Sequence, residues 1–489
     1  MADNIIASDR VEQRLLLKGL RPHWVGDPPP HVEGVTTDSR RVTPGQLFVA
    51  VHGTRVDGHV FLRDVARAGA VAAVVERTTD LDLPQLVVGD SAAAAAHLAM
   101  LFAGDPCAAM RYAAVTGTNG KSTTVWILRW LLADEARAAA VGTLGVVGPD
   151  GDLRPGSLTT PDPFVLAGML AELRDEGVER VALEASSHAL VQRRLDGLRF
   201  DAVAYTSFSR EHLEYHPDLE SYRAAKLRLL DLLVDGGVCA VNVDEPAWRD
   251  VDPRGAATIR YGFGPAASVR AVDPRFSAGS TTFTLATPGG DRPVRLPLPA
   301  EFNVHNALAA ASMALGLGVP VERVASRLAS VPPVPGRMEV LRREPALVVR
   351  DYAHTPDSYE RVLSTLRGLV TGRVLAVFGC GGDRDPGKRP IMGEIATRLA
   401  DLTLVTTDNP RSEDPAEICR QVVAGLDPGR FEIVLDRRDA IARALELAGP
   451  DDVVVLLGKG HETYQIIGEE RRPFDEAAIV AELAGAGAP

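Results

Sequence analysis

Short apolar runs alternate with helix-like segments along most of this chain. In the middle of the sequence, the apolar runs 180–184 and 237–243 each follow a segment with helical spacing, at 163–176 and 219–234. Strands that alternate with helices in this way predict an α/β fold, with a parallel sheet covered by helices on both faces. The alternation resumes beyond residue 337, where it predicts a second doubly wound unit with strands at 347–350, 374–378, 402–406 and 453–457.

The N-terminal part of the chain has a simpler pattern. Residues 1–108 combine apolar runs at 47–51 and 72–75 with a helical pattern at 60–70, which predicts a small α/β domain. The short polar run 103–107 contains Gly and Pro, and it predicts the linker that ends this domain.

Two further segments suggest the remaining boundaries. Runs between 257 and 298 are short and separated by turn residues, so an antiparallel insertion is expected before helices at 303–317 and 321–328. The proline-rich segment 331–337 cannot continue a helix and predicts a joint. We therefore expect three domains, at 1–108, 109–336 and 337–489.

Composition and charge narrow the possible partners. With 489 residues the chain is too long for a single hydrophobic core. Its 53 basic and 65 acidic residues give a net charge of −12, which argues against a nucleic-acid partner. Four cysteines without metal or disulfide spacing suit a reducing cytosol, and no apolar run approaches the ~20 residues of a membrane span. We expect a cytoplasmic protein that does not insert into membranes.

The most informative segment is Thr116-Gly-Thr-Asn-Gly-Lys-Ser-Thr123, which lies between an apolar run and a helical pattern. Backbone N–H groups in such a turn converge on an anion, and the N-terminus of the next helix adds a favourable dipole. Lys121 can reach the outer phosphates of a nucleotide, and the Ser122 hydroxyl can bind Mg²⁺. The usual motif has a glycine where Val115 stands. The flanking strand and helix nonetheless predict a nucleoside triphosphate site, in preference to a turn that merely joins them.

Three further polar residues could carry chemistry, and each has a structural alternative. Glu184 ends an apolar run, where its carboxylate either binds a second Mg²⁺ or, together with Ser186 and Ser187, caps the following turn. His212 follows the next strand, and a lone histidine is more often structural than a ligand. Lys226 lies in a helical pattern fourteen residues after His212, a position typical of a solvated lysine.

Together these motifs closely resemble those of the Mur ligases, the ATP-dependent amide-forming synthetases of peptidoglycan precursors. The resemblance covers essentially the whole chain. It implies three α/β domains: a small uridine-nucleotide domain, a central parallel-sheet ATPase domain with the phosphate loop, and a C-terminal doubly wound, Rossmann-like domain. Besides the phosphate loop, His212 and Lys226, the matching motifs are Glu184-Ala-Ser-Ser-His188, Asn303-Val-His-Asn306, Pro335-Gly-Arg-Met-Glu339 and Asp351-Tyr-Ala-His-Thr-Pro356.

The resemblance also implies roles for these residues. Lys226 would be N-carbamylated, because an ammonium group cannot bind Mg²⁺ whereas a carbamate presents a pair of oxygens. Two Mg²⁺ sites are expected, with metal ligands from Ser122, Glu184, His212 and the carbamate of Lys226. The implied catalytic residues are Lys121, Lys226, Glu184, His212 and Arg337, of which Arg337 would reach the γ-phosphate of ATP. The implied ATP-binding residues are Gly117, Thr118, Asn119, Gly120, Lys121, Ser122, Thr123, Asn306 and Asp351.

Within the family, the chain is most similar to members that add a diamino acid to a muramoyl dipeptide. Thr37-Asp-Ser-Arg40 and Val51-His-Gly-Thr-Arg-Val-Asp-Gly58 match the uridine-nucleotide domain, and segments 379–385, 408–411 and 458–462 match the amino-acid site. UDP-N-acetylmuramoyl-L-alanyl-D-glutamate would be bound by Thr37, Ser39, Thr54, Arg55, Val56, Thr159, Thr160, Ser186, Gln192 and Arg194. The added amino acid would be bound by Arg384, Asp408, Asn409, Pro410, Arg411, Gly458 and Glu462.

The resemblance further implies which amino acid is added. Asp408-Asn-Pro-Arg411 is the form associated with meso-diaminopimelate rather than L-lysine, and the arginine fork can pair with the distal carboxylate that lysine lacks. ATP would phosphorylate the γ-carboxylate of D-glutamate, and an amine of diaminopimelate would then attack the acyl phosphate. Such a reaction serves peptidoglycan synthesis, and through it cell-wall biogenesis, cell shape and cell division. A monomer is expected.

The chain departs from the family pattern at a few positions. Ser207 replaces an asparagine, Glu211 an aspartate and Ala300 a glycine, while Pro386 replaces a basic residue and leaves Lys388 to carry that charge. None of these positions has an assigned chemical role.

Three other functions compete with this one. The nearest is the L-lysine-adding version of the same ligase, which only Arg411 and its neighbours oppose. A folylpolyglutamate synthase would lack the uridine domain and the Asp408–Arg411 sequence. An ATP-binding regulatory protein without catalysis would be favoured by loss of Lys121, Lys226 or Glu184, and all three are present.

Overall fold

The computed structural model describes residues 5–53, 56–134, 136–156, 158–253, 255–277 and 279–485. Backbone contacts divide the chain into two compact units. The first unit comprises Met1–Arg270 and Asn306–Val324, and the second comprises Ala271–His305 and Ala325–Pro489. Within the described ranges, no helix combines the length and the apolar character needed to cross a bilayer.

The first unit begins with a small sheet flanked by helices. Its elements are β1 (Ile6–Ala7), α1 (Ser8–Leu17), β2 (His23–Val25), β3 (His31–Val32), β4 (Gly34–Thr36), β5 (Gln46–Val49), α2 (Leu62–Arg67), β6 (Ala72–Val75), β7 (Gln85–Val87) and α3 (Ser91–Phe102). The strand order is β2-β7-β6-β5-β4, with β7, β6, β5 and β4 parallel. Every residue of β6 is buried, which explains its continuous apolar sequence.

The rest of the first unit is built on a larger sheet. Its elements are β8 (Arg111–Thr116), α4 (Lys121–Leu132), β9 (Ala138–Gly142), β10 (Gly145–Val147), β11 (Leu153–Arg154), α5 (Pro163–Asp175), β12 (Arg180–Glu184), α6 (Ser187–Val191), β13 (Phe200–Tyr205), α7 (Leu219–Leu227), β14 (Leu233–Asn242), β15 (Ala257–Gly262) and the start of β16 (Val269–Ser277). Strands β9, β12, β8, β13, β14 and β15 lie side by side and parallel. The predicted parallel sheet is therefore confirmed.

The structure corrects two element predictions here. The helix predicted at 219–234 ends at Leu227, a 3-10 turn spans Arg228–Leu232, and β14 begins at Leu233. The apolar spacing of this segment suits a helix, but Leu233 pairs with Phe200 of β13, and that tertiary contact prevails. The insertion predicted as antiparallel is only partly so, because β15 and the first residues of β16 extend the parallel sheet.

The second unit contains a hairpin and a doubly wound sheet. In chain order, the elements that complete the structure are β17 (Ser280–Ala286), β18 (Arg292–Leu296), α8 (Glu301–Gly316), α9 (Val321–Leu328), β19 (Glu339–Arg342), β20 (Leu347–Asp351), α10 (Pro356–Leu369), β21 (Val374–Phe378), α11 (Lys388–Leu399), β22 (Leu402–Val405), α12 (Pro415–Val422), β23 (Phe431–Ile433), α13 (Arg437–Leu447), β24 (Val453–Leu457), β25 (Tyr464–Ile467), β26 (Glu470–Pro473) and α14 (Glu476–Gly485). β17 and β18 are antiparallel, and the sheet order is β19-β20-β24-β21-β22-β23, parallel apart from β19.

A buried ion pair ties α14 to this sheet. Arg437 at the start of α13 and Glu476 at the start of α14 have fully buried side chains, and Arg437 Nε donates to Glu476 Oε1 at 2.9 Å. Arg437 Nη2 also donates to the Leu457 carbonyl at the end of β24, at 2.8 Å. The pair therefore joins two helices to the last residue of a central strand.

Candidate active site

The predicted phosphate loop lies between β8 and α4. Gly117 and Gly120 have φ angles of +151° and +89°, a region that favours glycine. A Cβ at Gly117 would collide with Thr206 Oγ1, and one at Gly120 would collide with Asn306 Oδ1. The loop therefore needs both glycines, and Asn306, which is predicted to bind the nucleotide, lies beside it.

The end of β13 holds this loop in place. Thr118 N donates to the Ser207 carbonyl at 2.7 Å, and Asn119 N donates to Ser207 Oγ at 2.9 Å. Thr206 Oγ1 donates to the Asn119 carbonyl at 2.7 Å. Ser207, one of the departures from the family pattern, therefore supplies a side-chain acceptor for the loop.

Two lysines converge on the loop. Lys121 Nζ donates to the carbonyls of Gly117 and Thr118 at 3.0 and 2.8 Å, and Lys226 Nζ donates to the Gly117 carbonyl at 2.8 Å. Lys226 is 1% exposed, so the alternative of a solvated helix lysine is wrong. Burial, together with the nearby Lys121 ammonium, holds the pKa of Lys226 well below its usual range.

Glu184 ends β12, as predicted, and its carboxylate is buried. It accepts hydrogen bonds from Thr143 N at 2.7 Å and Thr143 Oγ1 at 3.0 Å. Thr143 Oγ1 lies 3.0 Å from Thr159 Oγ1, and Thr160 Oγ1 donates to the Glu184 carbonyl at 2.7 Å. The carboxylate therefore binds the turn after β9, whereas Ser186 caps the following helix by accepting a hydrogen bond from Ala189 N at 3.3 Å.

The residues expected to bind the dipeptide form one hydrogen-bonded group next to Glu184. Thr160 Oγ1 lies 3.2 Å from Ser186 Oγ, and Arg194 Nη1 donates to the Thr160 carbonyl at 2.7 Å. Arg194 Nε and Nη2 donate to Gln192 Oε1 at 3.0 and 2.7 Å. Thr159 joins this group through Thr143, so the structure brings all five predicted residues together.

A cluster of aromatic rings surrounds His188, which follows Glu184 at the start of α6. The ring of His188 lies 4.1 Å from that of Tyr215, 4.7 Å from His212 and 5.7 Å from His216, centroid to centroid. Burial lowers the pKa of His188 to about 4, with further contributions from His212 and His216. His212 Nδ1 lies 3.3 Å from Glu214 Oε1 and its Nε2 lies 3.8 Å from Glu211 Oε2.

The predicted metal ligands contact other groups. Glu184 binds Thr143, Lys226 binds the Gly117 carbonyl, and Ser122 is buried at the start of α4. Within the described part of the chain, no three carboxylate, histidine or cysteine side chains are grouped closely enough to hold a metal ion.

In the second unit, Arg337 and Asp351 lie in one network. Asp351 accepts hydrogen bonds from Met338 N at 2.7 Å and Ala353 N at 2.8 Å. The guanidinium of Arg337 lies over the ring of Tyr352, 4.7 Å from its centroid. Burial raises the pKa of Asp351, an effect that Arg337 and the two N–H groups oppose.

The predicted amino-acid site is built around a buried lysine. Asn409 Nδ2 donates to Glu462 Oε2 at 2.9 Å. Lys459, whose side chain is fully buried, donates to Asn409 Oδ1 at 3.0 Å and lies 3.3 Å from Asp408 Oδ1 and 3.4 Å from Glu462 Oε2. Burial raises the pKa of Glu462; Lys459 opposes this effect and Asp408 adds to it. Pro410 is buried beside Asn409.

Other residues of this predicted site are more open. Arg411, with a φ of +52°, is half-buried and donates from Nη1 to the Gly382 carbonyl at 2.6 Å. Gly458 has a φ of +108° at the end of β24, and Arg384 is exposed. Lys388, expected to carry the charge that Pro386 lacks, donates to the His354 carbonyl at 3.1 Å.

The residues expected to bind the uridine nucleotide follow β4 and β5. These strands are parallel neighbours, so both segments leave the same edge of the small sheet. Ser39 starts a 3-10 turn after β4, Thr37 is half-buried and Val56 is exposed. Thr54 and Arg55 lie outside the described residues.

Ala300 occupies a position that suits glycine. Its φ is +83°, and it is buried immediately before α8. A non-glycine residue is strained there, and this strain accounts for the glycine that the family resemblance implies at this position.

The sequence prediction missed four residues of these sites. Lys459 lies inside segment 458–462, which matches the amino-acid site of the family, so its role there could have been predicted. Thr143, His216 and Tyr222 gave no signal, because threonine in a turn and aromatic residues near a core are common in any α/β domain.

Three family models match the chain in succession. They are the Mur ligase family catalytic domain at 31–113, the Mur ligase middle domain at 115–314 and the Mur ligase glutamate ligase domain at 336–460. Their order agrees with a three-domain α/β fold.

Curated relatives match nearly the whole chain. The UDP-N-acetylmuramoyl-L-alanyl-D-glutamate–2,6-diaminopimelate ligase of Geobacillus kaustophilus is 41% identical over 474 residues, which cover 95% of this chain and 96% of that protein. The protein of the same name from Agrobacterium fabrum is 42% identical over 470 residues, which cover 93% and 94%.

Solved structures agree. A solved structure of a protein with that same name is 33% identical to this chain and has a TM-score of 0.68. The match covers 94% of this chain and 97% of the solved one. A MurF ligase from Thermotoga maritima in complex with ADP is 22% identical and shares the fold, with a TM-score of 0.61. That match covers 92% of this chain and 96% of the solved one. The chain belongs to the Mur ligase family.

Proposed function

We propose that this protein is an ATP-dependent ligase that joins meso-diaminopimelate to the D-glutamate of UDP-N-acetylmuramoyl-L-alanyl-D-glutamate. The observation that carries the proposal is the 41% identity, over 95% of the chain, to a relative named for that reaction. The phosphate loop and the Asp408–Asn409–Glu462 cluster around the buried Lys459 supply the groups that such a reaction needs.

The reaction must give the γ-carboxylate of D-glutamate a better leaving group. In the proposal, ATP phosphorylates that carboxylate, the diaminopimelate amine attacks the acyl phosphate, and phosphate leaves. The enzyme mainly positions reactants and offsets phosphate charge. Lys121 would turn from the loop carbonyls to the phosphates, and residues 117–123 and Asn306 would bind ATP. Arg337 and Asp351 are also proposed as nucleotide-binding residues.

The donor chemistry around the loop fits Mg²⁺. Glu184 and Ser122 offer the oxygen ligands that this ion prefers, and a carbamate on Lys226 would add further oxygens. The family resemblance implies His212 as the remaining ligand. The low pKa of Lys226 supports carbamylation, because only a neutral amine attacks CO₂. Bound Mg²⁺ neutralises phosphate charge. Two such ions are proposed.

The dipeptide would be bound by the hydrogen-bonded group that joins Thr160 to Arg194. The Arg194 fork and the hydroxyls of Thr160 and Ser186 are donors suited to carboxylates. Its UDP-sugar would lie at the edge of the small sheet where β4 ends, at residues 37–39. Residues 54–56 are also proposed to bind it.

The acceptor would be bound by Asp408, Asn409 and Glu462, whose oxygens suit the ammonium of an amino acid. Arg411 would pair with the distal carboxylate of diaminopimelate, with Arg384, Pro410 and Gly458 lining the site.

Three domains are proposed: residues 1–108 bind the UDP-sugar, residues 109–336 bind ATP and residues 337–489 bind the amino acid. A cytoplasmic monomer is also proposed.

The second candidate is the L-lysine-adding version of this ligase, since Arg411 is the main residue that opposes it. The test is a coupled assay of ADP release with the UDP-muramoyl dipeptide and either amino acid. Turnover with meso-diaminopimelate and little with L-lysine is expected. Efficient use of lysine would overturn the specificity, and no turnover with either would overturn the ligase assignment.

A further inference from the structure

Tyr222 contacts two parts of the proposed nucleotide site. It is fully buried on α7, four residues before Lys226, so both side chains lie on the same face of the helix. Its hydroxyl lies 3.2 Å from Thr118 Oγ1 in the phosphate loop. Lys226 Nζ lies 4.4 Å from the centroid of its ring.

The hydrogen bonds of Thr118 fix the direction of this contact. Thr118 Oγ1 donates to the Ser209 carbonyl at 3.2 Å and accepts from Ser209 N at 3.0 Å. A hydroxyl has one hydrogen, so while Thr118 Oγ1 donates to Ser209, Tyr222 donates to a lone pair of Thr118. Burial raises the pKa of Tyr222, which keeps that proton in place.

The ring of Tyr222 is held from two sides. Phe208 stacks against it with centroids 5.3 Å apart, and His216 packs at 5.0 Å. The face of a held ring attracts a cation and disfavours an anion. It therefore suits the ammonium form of Lys226 and would steer the oxygens of a carbamate away from the ring.

We propose that Tyr222 is a positioning residue for both the phosphate loop and Lys226. Its hydroxyl holds Thr118, and its ring sets the direction in which Lys226 presents its modified end. The inference rests on the proposed function, because it assumes MgADP binding and a carbamate on Lys226.

The test separates the two contacts with two variants. Tyr222→Phe removes the hydroxyl and keeps the ring, whereas Tyr222→Leu removes both. Tyr261→Phe is the matched control: Tyr261 is also fully buried, but its hydroxyl donates to the Tyr205 carbonyl, at 2.8 Å. Calorimetric titration gives the affinity for MgADP, and ¹³C NMR in labelled bicarbonate detects the carbamate.

Tyr222→Phe should bind MgADP about twofold to tenfold more weakly, the effect of one neutral hydrogen bond, and should keep the carbamate signal. Tyr222→Leu should lose affinity, and its carbamate signal should shift and broaden, because the anion is no longer steered into one orientation. Tyr261→Phe should match wild type in both. If the Leu variant does not fold, Tyr222→Met, which fills more of the space, replaces it.

Each part of the inference can fail separately. Equal MgADP affinity of Tyr222→Phe and Tyr261→Phe would overturn the role of the hydroxyl. A carbamate signal in Tyr222→Leu with the chemical shift and line width of wild type would overturn the role of the ring. Failure of the wild-type protein to bind MgADP or to show a carbamate would instead count against the proposed function.

Discussion

Lys121 and Lys226 donate hydrogen bonds to the same acceptor, the carbonyl oxygen of Gly117, at 3.0 and 2.8 Å. One carbonyl cannot fully offset two ammonium groups, and Lys226 is the more buried of the two. Lys226 therefore gives up its proton more readily. The arrangement leaves Lys121 as the charge available to a phosphate and makes Lys226 available for chemistry with CO₂.

Replacing Lys121 should remove most of the ligase activity. The Lys121→Ala variant loses the charge aimed at the transferring phosphoryl group, and such groups contribute roughly 2.7–4 kcal/mol to transition-state stabilisation by analogy with oxyanion donors. We expect kcat to fall by about a hundredfold to a thousandfold in the ADP-release assay. Lys18→Ala, at an exposed lysine after α1, is the control. Full turnover by Lys121→Ala would contradict the assigned role.

Replacing Lys226 should lower the ligase activity and raise the stability of the fold. Burial lowers its pKa, so at neutral pH the unfolded chain binds more protons at this lysine than the folded chain does. Lys226 therefore destabilises the fold below its unfolded pKa, and this effect fades as the pH rises toward ~10.4. The Lys226→Met variant should be nearly inactive and should have a higher melting temperature at pH 7. In Lys226→Ala, short carboxylic acids should restore some turnover by occupying the position of the carbamate oxygens. Wild-type activity of Lys226→Ala in CO₂-depleted buffer would show an ordinary lysine.

Arg411 should set the choice of amino acid. One of its nitrogens donates to the Gly382 carbonyl, which orients the guanidinium group. With lysine as acceptor, this group would face an ammonium, and sites built on such polar partners discriminate by roughly 10⁴–10⁵. Arg411→Ala should strongly raise KM for meso-diaminopimelate and narrow the gap to lysine. Arg420→Ala, an exposed arginine paired with Glu417, should change neither. An unchanged ratio of kcat/KM values in Arg411→Ala would refute this role.

Lys459 should keep the acceptor site ionised. The Lys459→Met variant leaves Asp408 and Glu462 without the buried cation that lies 3.3 and 3.4 Å away. The already raised pKa of Glu462 should rise further, so KM for the acceptor increases and the acid limb of the pH–rate profile moves to higher pH. Circular dichroism checks that the variant folds. An unmoved acid limb in a folded variant would mean that Lys459 does not control Glu462.

Acid should destabilise the first unit through His97. Burial on α3 lowers the pKa of this histidine to about 3, with Lys18, Arg199 and Arg14 contributing. The unfolded chain binds more protons from pH ~6.5 down to pH ~3, so stability falls as the pH falls through this window. Lowering the pH from about 7.5 to 5.5 should cost wild type ~1 kcal/mol more than His97→Leu in urea unfolding. His23→Leu, at an exposed residue of β2, should behave like wild type.

Sequence patterns were most successful where burial is continuous. The predicted strands at 180–184, 374–378 and 453–457 agree with Arg180–Glu184, Val374–Phe378 and Val453–Leu457, because strands buried on both faces read as unbroken apolar runs. The end of α7 was missed, because the pairing of Leu233 with Phe200 is a long-range contact.

The candidate site shows the same difference between local features, which the sequence predicts, and long-range contacts, which it does not. Glycines, Lys121 and the end of β12 have local signatures, so their placement could be predicted. The contact of Thr143 with Glu184 joins residues far apart in sequence, as does the donation of Lys226 to Gly117. Such contacts depend on the order of the strands in the sheet, which hydrophobic spacing does not give.

The Arg437–Glu476 pair has a consequence for biosynthesis. Until Glu476 has emerged from the ribosome, Arg437 would have to be buried without its counter-ion, and an uncompensated buried charge costs about 3–5 kcal/mol. That cost is a large share of the stability of a typical domain. The sheet of the second unit should therefore close only after nearly all of its sequence has been translated, so nascent chains that stall before α14 should be targets for chaperones and proteases.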